Sequence, residues 1–205
     1  MRAAASRTRR SRRVPHQRRA RLTVEAILDA AVRVLKRDGV SAITTNRIAE
    51  IAGVSIGSVY QYFPDKRAIF IALHRRHVEE IDRRIEQTVI AHAAAPLEAL
   101  LRAMVEAVVE AHSADPVLHE LLSTQVPHRG DGTREFAQRL QGVFRLAISA
   151  RTNELGRRRP ERLAFVLAHM LDALGHGAAL RRPPELSLAE AKQEAVRAML
   201  TYLKA

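Results

Sequence analysis

A chain of 205 residues with 47% hydrophobic side chains is long enough to bury a real core, as one ordinary domain or as a small domain joined to a larger one. It has no cysteine, which excludes disulfides and thiolate metal sites, and no run of roughly eighteen apolar residues or signal-type leader, so a soluble cytoplasmic protein without membrane partners is expected. The net charge of +12 is uneven: Arg2, Arg7, Arg9, Arg10, Arg12, Arg13, Arg18, Arg19 and Arg21 precede any acid, and once these nine of the 34 basic residues are set aside, 25 remain against 22 acids.

The arginines are interleaved with Ser, Ala and Pro15 and have almost no large apolar neighbour, a composition that cannot bury enough surface to order itself. Residues 1–20 are therefore expected to form a disordered arm, either a solvated tail or a segment that follows a polyanion. From Leu22 onward the periodicity is helical, and no strand is expected. Val24, Ile27, Leu28, Ala31, Val34 and Leu35 define a first helix, with Thr23 placed to cap its start and Gly39 to end it. Thr44 or Thr45 caps a short second helix through Ile48, Ala49, Ile51 and Ala52. Gly53 then turns the chain, Ser55 caps a third helix, and Pro64 stops it at Phe63.

Asp65 caps a long fourth helix running from Lys66 to about His92 through Ile69, Phe70, Leu73, His77, Ile81 and Ile85. Pro96 opens a fifth, whose Glu98, Arg102, Glu106 and Glu110 lie on a solvated face opposite Leu97, Leu100, Leu101, Met104, Val105 and Val108. Asp115 and Pro116 start a sixth that ends near Val126. Residues 127–133 read as a loop, Phe136 to Ala147 as a seventh helix, and Pro160 to about Leu180 as an eighth. Ser187-x-x-Glu190 is a capping box for the ninth. The fold class is all-α.

The stretch AGVSIGSVYQYFPDK, residues 52–66, carries the chemistry. A helix-turn-helix needs a small residue where two short helices cross, a Gly at the turn and apolar residues that hold the second helix on the first. Ala49, Gly53, and Ile48 with Ala52, Val54 and Val59 meet those needs. The outward face of residues 55–62 is then free to enter a major groove, where small side chains permit close approach, hydroxyls reach phosphates, and Gln61 is able to pair with an adenine edge. The bland alternative is that Gly, Ser and Tyr merely cover the end of a helical hairpin.

Residues 24–70, including Gly39, Thr44-Thr45, Ile48-Ala49, Ala52-Gly53-Val54-Ser55, Tyr60, Tyr62-Phe63 and Lys66, resemble the DNA-binding domain of TetR-family transcriptional regulators. The resemblance implies a nine-helix, two-domain homodimer: a helix-turn-helix head over residues 21–68, and an effector-binding and dimerising domain over residues 69–205 that pairs through the last two helices. It also implies a repressor released from a palindromic operator, with effector-independent architectural DNA binding as the alternative. Thr44 and Thr45 would lie at the phosphate-facing start of the second helix, Ser55 is a further DNA-binding candidate, and Tyr60, Tyr62 and Lys66 would contact phosphate or sugar. Ile56, Gly57, Ser58 and Gln61 would face bases, Ile56 meeting a thymine methyl, while Arg47 is either a phosphate contact or a solvated charge.

Outside the head the sequence says less. Met104, Val108, Phe136 and Phe144 are the bulky candidates for an effector pocket, plain core being the competing reading, and an apolar lining would suit a hydrophobic or amphipathic molecule. Val166, Leu167, Met170, Leu174, Gly177, Val196, Met199 and Leu203 are the candidates for the dimer interface, with Ala164, Ala168 and Gly177 admitting a close partner. His169, Asp172 and His176 share one helical face, but no fourth ligand is visible, and His74 with His77 is no stronger. No metal and no cofactor is expected. No nucleophile-base pair, phosphate loop or paired carboxylates suggest catalysis, so no catalytic residue and no enzyme is expected.

Overall fold

The computed structural model describes residues 13–126, 131–151 and 159–204, and among them there are nine α-helices, one short 3-10 turn and no strand. The helices are α1 (Arg13–Asp38), α2 (Thr45–Ala52), α3 (Ile56–Tyr62), α4 (Lys66–Ala91), α5 (Leu97–Ser113), α6 (Pro116–Gln125), α7 (Asp131–Ser149), α8 (Pro160–Leu180) and α9 (Leu188–Lys204). The chain divides into two compact units, Met1–Ala72 and Leu73–Ala205, a few residues past the boundary expected at 68.

In the first unit α1 packs on α2 and α2 on α3 around Ile27, Ala31, Val34, Ile48, Val59 and Phe63, all buried. Two glycines with positive φ make the corners: Gly39 at 81° and Gly53 at 68°, the latter left-handed and closing α2 with its N–H on the carbonyls of Ala49 and Glu50. The caps fall where short polar side chains invite them. Thr44 accepts from the Arg47 amide at 3.1 Å, Ser55 from the Ser58 amide at 3.0 Å and Asp65 from the Ala68 amide at 2.7 Å.

The start of α1 corrects the expected arm. Residues 13–20 are helical, because Arg, Gln and Ala are good helix formers and Pro15 sits in the first turn, where a missing N–H costs nothing. Thr23 consequently caps nothing; its hydroxyl donates back to the Arg19 carbonyl at 3.0 Å within the helix. Residues 1–12 lie outside the described residues. The expected loop over 127–133 is also shorter, since α7 begins at Asp131.

The second unit is organised on α8, which packs against α5, α7 and α9, while α9 also lies on α5. Among the described residues, α8 alone is long and apolar enough to cross a bilayer by length and composition. Its Leu163, Ala164, Leu167, Ala168 and Leu171 are buried in the unit's own core. Gly175 explains how closely α8 meets α5: a Cβ there would stand 2.6 Å from Val108 Cγ1. At the end of α4, the Arg151 guanidinium donates to the carbonyls of His92, Ala93 and Ala95 at 2.8–3.1 Å, satisfying acceptors that the helix and its turn leave over. The capping box of α9 forms as expected, with the Ser187 amide donating to Glu190 Oε2 at 2.8 Å and the Glu190 amide to Ser187 Oγ at 3.2 Å.

Half of the expected interface set is covered within the C-terminal unit itself. Leu167, Val196, Met199 and Leu203 are buried within the subunit, as are Ala164 and Ala168, because α8 is apolar around most of its circumference and α5 claims one side. Val166, Met170, Leu174 and Gly177 stay half-buried beside Phe165, which is 54% exposed.

Candidate nucleic-acid interface and histidine-lined cavity

The helix-turn-helix presents the residues the sequence singled out. Val59 and Phe63 anchor α3 inward, which leaves Ser55, Ile56, Gly57, Tyr60 and Gln61 exposed, with Ser58 and Tyr62 half-buried. Gly57 is ordinary helix, and a Cβ there would meet nothing closer than Ser55 Oγ at 3.8 Å, so nothing inside the head demands a glycine. Tyr60 Oη and Thr45 Oγ1 stand 3.3 Å apart, and the Ser55 and Ser58 hydroxyls 2.8 Å apart, so each pair is already hydrogen-bonded in the free head. Arg47 is bound too, to Glu50 at 2.6 Å and Asp38 at 3.6 Å. Lys66 is exposed at the start of α4, with its ammonium 5.9 Å from the centre of the Phe70 ring.

The C-terminal unit holds a cavity of about 300 Å³ that the sequence located poorly. Phe136 lines it, but Met104, Val108 and Phe144 are fully buried core and do not. Nor is the wall simply apolar: beside Val78, Ile81, Leu122 and Phe136 stand His74, His77, His112, His119, Asp172, His176 and Arg181. His119 Nδ1 lies 2.9 Å from His77 Nε2, and His119 Nε2 lies 2.9 Å from His176 Nε2. The His112 and His119 ring centres are 4.5 Å apart. Burial, followed by the nearby charge of His74 and His176, pushes the His77 imidazole down to about 4. Burial, then the other imidazoles, pushes His112 down to about 2.

The expected face of His169, Asp172 and His176 is not a unit. His169 is exposed, its Nδ1 2.7 Å from the Phe165 carbonyl oxygen, whereas His176 joins the cluster. His112 and His119 were missed, although a signal existed. His112 continues the buried four-residue spacing of Met104 and Val108, His119 stands three before buried Leu122, and His77 falls between Leu73 and Ile81.

Comparison with known proteins decides the family. Residues 27–73 match the model of bacterial regulatory proteins of the tetR family, and residues 96–203 that of the tetracyclin repressor-like C-terminal domain. The chain belongs to the tetR family. An uncharacterized HTH-type transcriptional regulator of Mycobacterium tuberculosis is 32% identical over 160 residues, 77% of this chain and 76% of that one. The HTH-type transcriptional repressor KstR of the same species is 29% identical over 97 residues, 47% of this chain. The alignments span only 32% and 43% of the KstR repressors of Mycolicibacterium smegmatis and M. tuberculosis. A putative TetR-family regulator from Mesorhizobium loti shares the fold, with a TM-score of 0.67 and 20% identity over 90% of this chain and 98% of the other. One match falls on the helix-turn-helix head and the other on the C-terminal unit.

Proposed function

We propose that this tetR-family protein is a homodimeric repressor that reads a palindromic operator through α3 and leaves it when a small amphipathic molecule occupies the C-terminal cavity. The observation that carries the DNA half is the outward face of α3. Ile56, Gly57 and Gln61 are exposed beside hydroxyl pairs suited to phosphate, and Gly57 lacks a side chain that its own fold would accommodate. Close backbone approach to base edges gives that absence a reason.

The dimer is supported by the outer strip of α8, where Phe165, Val166, Met170 and Leu174 leave apolar surface beside Gly177, at which a Cβ would meet nothing in the subunit. Two-fold pairing would set the α3 helices roughly one DNA turn apart, about 34 Å. The effector half is supported by the mixed wall of the cavity, apolar at Val78, Ile81 and Phe136 and polar at the histidines and Arg181, which favours an amphipathic over a purely hydrophobic molecule. Release requires that the molecule bind the DNA-free form more tightly than the bound one.

The test is selection of bound fragments from genomic DNA, followed by titration of candidate amphiphiles against the selected duplex. Recovery of a two-fold symmetric site and its release by a molecule that also raises the melting temperature is the expected result. A selected site without symmetry removes the palindromic reading, and ligands that bind without changing DNA affinity leave an effector-independent DNA-binding protein.

A further inference from the structure

The histidines assemble from four helices: His77 from α4, His112 from α5, His119 from α6 and His176 from α8. One ring nitrogen from each of His77, His112 and His119 lies within 4.8 Å of the other two. We propose that these three residues bind a divalent late transition ion of the zinc, cobalt and nickel type, with His176 orienting His119 from behind and the fourth coordination position facing the cavity.

Three observations lead there independently of the DNA-release reading. The first is spacing. Tetrahedral bonds of about 2.0–2.1 Å from imidazole to zinc set neighbouring nitrogens roughly 3.3–3.4 Å apart. The His77–His119 pair, at 2.9 Å, needs to open by only a few tenths of an ångström, which ring rotation supplies. The second is an orphan: His112 Nδ1 is buried with no hydrogen-bond partner, a cost that a packed core seldom carries without a reason. The third is the back of His119. Its two nitrogens face different imidazoles, so only Nδ1 is able to join His77 on a shared ion, and Nε2–H then donates to His176 Nε2 at 2.9 Å. Such an outer hydrogen bond fixes the tautomer and the ring orientation of a metal-binding histidine.

Ligand chemistry narrows the ion. Imidazole nitrogen suits zinc, cobalt, nickel and copper, whereas magnesium and calcium take oxygen. With three protein ligands and a cavity of about 300 Å³ alongside, water or a donor atom of a small molecule can complete the shell.

The test uses the untagged full chain, stripped with a chelator and titrated calorimetrically with zinc or cobalt alone at neutral pH. The expected result is a single ion per chain, a raised melting temperature, and cobalt ligand-field absorption of four-coordinate intensity. His119→Ala and His112→Ala should abolish tight binding, and His176→Ala should weaken it by about 10–100-fold. His92→Ala, whose ring lies against the Thr88 carbonyl outside the cluster, should bind as the parent does. Circular dichroism establishes that each variant is folded; if an alanine variant is not, the conservative His112→Gln and His119→Gln take its place. No uptake at micromolar ion, or undiminished uptake by folded His112 and His119 variants, overturns the site.

Discussion

Tyr60 on α3 and Thr45 in the first turn of α2 bring their hydroxyls to 3.3 Å, so the two helices of the turn present a joined pair of hydroxyls. On the proposed function both meet phosphate and neither reads sequence. Tyr60→Phe should therefore weaken binding to matched and mismatched duplexes by similar factors, whereas Gln61→Ala should lose about 1–3 kcal/mol of discrimination at one base pair. Fluorescence anisotropy on a panel of single-substituted operators separates the two. A Gln61→Ala protein with parental preference would take that side chain off the reading face.

The arginines on α1 should act through salt. Residues 22–63 carry four basic and four acidic side chains, so this stretch of the head has no net charge to draw a polyanion, and Arg47 is held by Glu50 and Asp38. Arg18, Arg19 and Arg21 are exposed on α1. Replacing all three by Gln should lower the slope of log affinity against log salt by about 0.9 for each phosphate no longer neutralised, with little change in sequence preference. A slope unchanged between the two proteins would make them merely solvated.

Met170 lies on the outer strip of α8, half-buried beside Phe165 and Val166. The parent should sediment as a dimer at micromolar concentration and Met170→Glu as a folded monomer, because a charge is placed where a partner helix would have to desolvate it. If the variant sediments with its parent, the interface lies elsewhere.

Gly175→Ala should destabilise the C-terminal unit by about 1–3 kcal/mol, since the new methyl meets Val108 Cγ1 at 2.6 Å in a packed core. Gly142→Ala is the control. Its Cβ would meet nothing within 4 Å on α7, so helix propensity alone should raise stability by up to about 1 kcal/mol. Urea titrations of both variants decide the matter, and equal midpoints would contradict the tight α5–α8 approach.

The metal-free protein should lose stability on mild acidification. The His77 and His112 imidazoles titrate far below 6.5 in the fold, with burial the leading cause; His74, His176 and Asp115 act on His77, while His119, His176 and His77 act on His112. The unfolded chain consequently holds more protons between about pH 4 and 6.5. Stability is complete above the unfolded value and falls as pH drops toward the folded ones, by on the order of 3 kcal/mol at His77 alone. Urea midpoints that are level from pH 7.5 to 5, or equally steep in a His77→Phe variant, would exclude this cause.

Much of the protein was legible because the signals are local. A cap needs one short polar side chain within three residues of the amide it accepts from, and Thr44, Ser55, Asp65, Asp115 and Ser187 all cap where the sequence placed them. The reading head was legible for the same reason, since Ala49, Gly53 and Val59 do their work within a dozen residues. Local composition misled once, at Arg13–Ala20, where charge suggested disorder and helix propensity prevailed. The sequence by itself determined the helices, their order and which residues of α3 face outward. Only the tertiary structure decided which side of α8 is core, putting Leu167 inside and leaving Met170 half exposed, because a helix apolar on most faces does not say which neighbour covers it. It likewise decided that His77, His112, His119 and His176 meet, since their approach depends on how four helices pack, and no spacing along one helix encodes that.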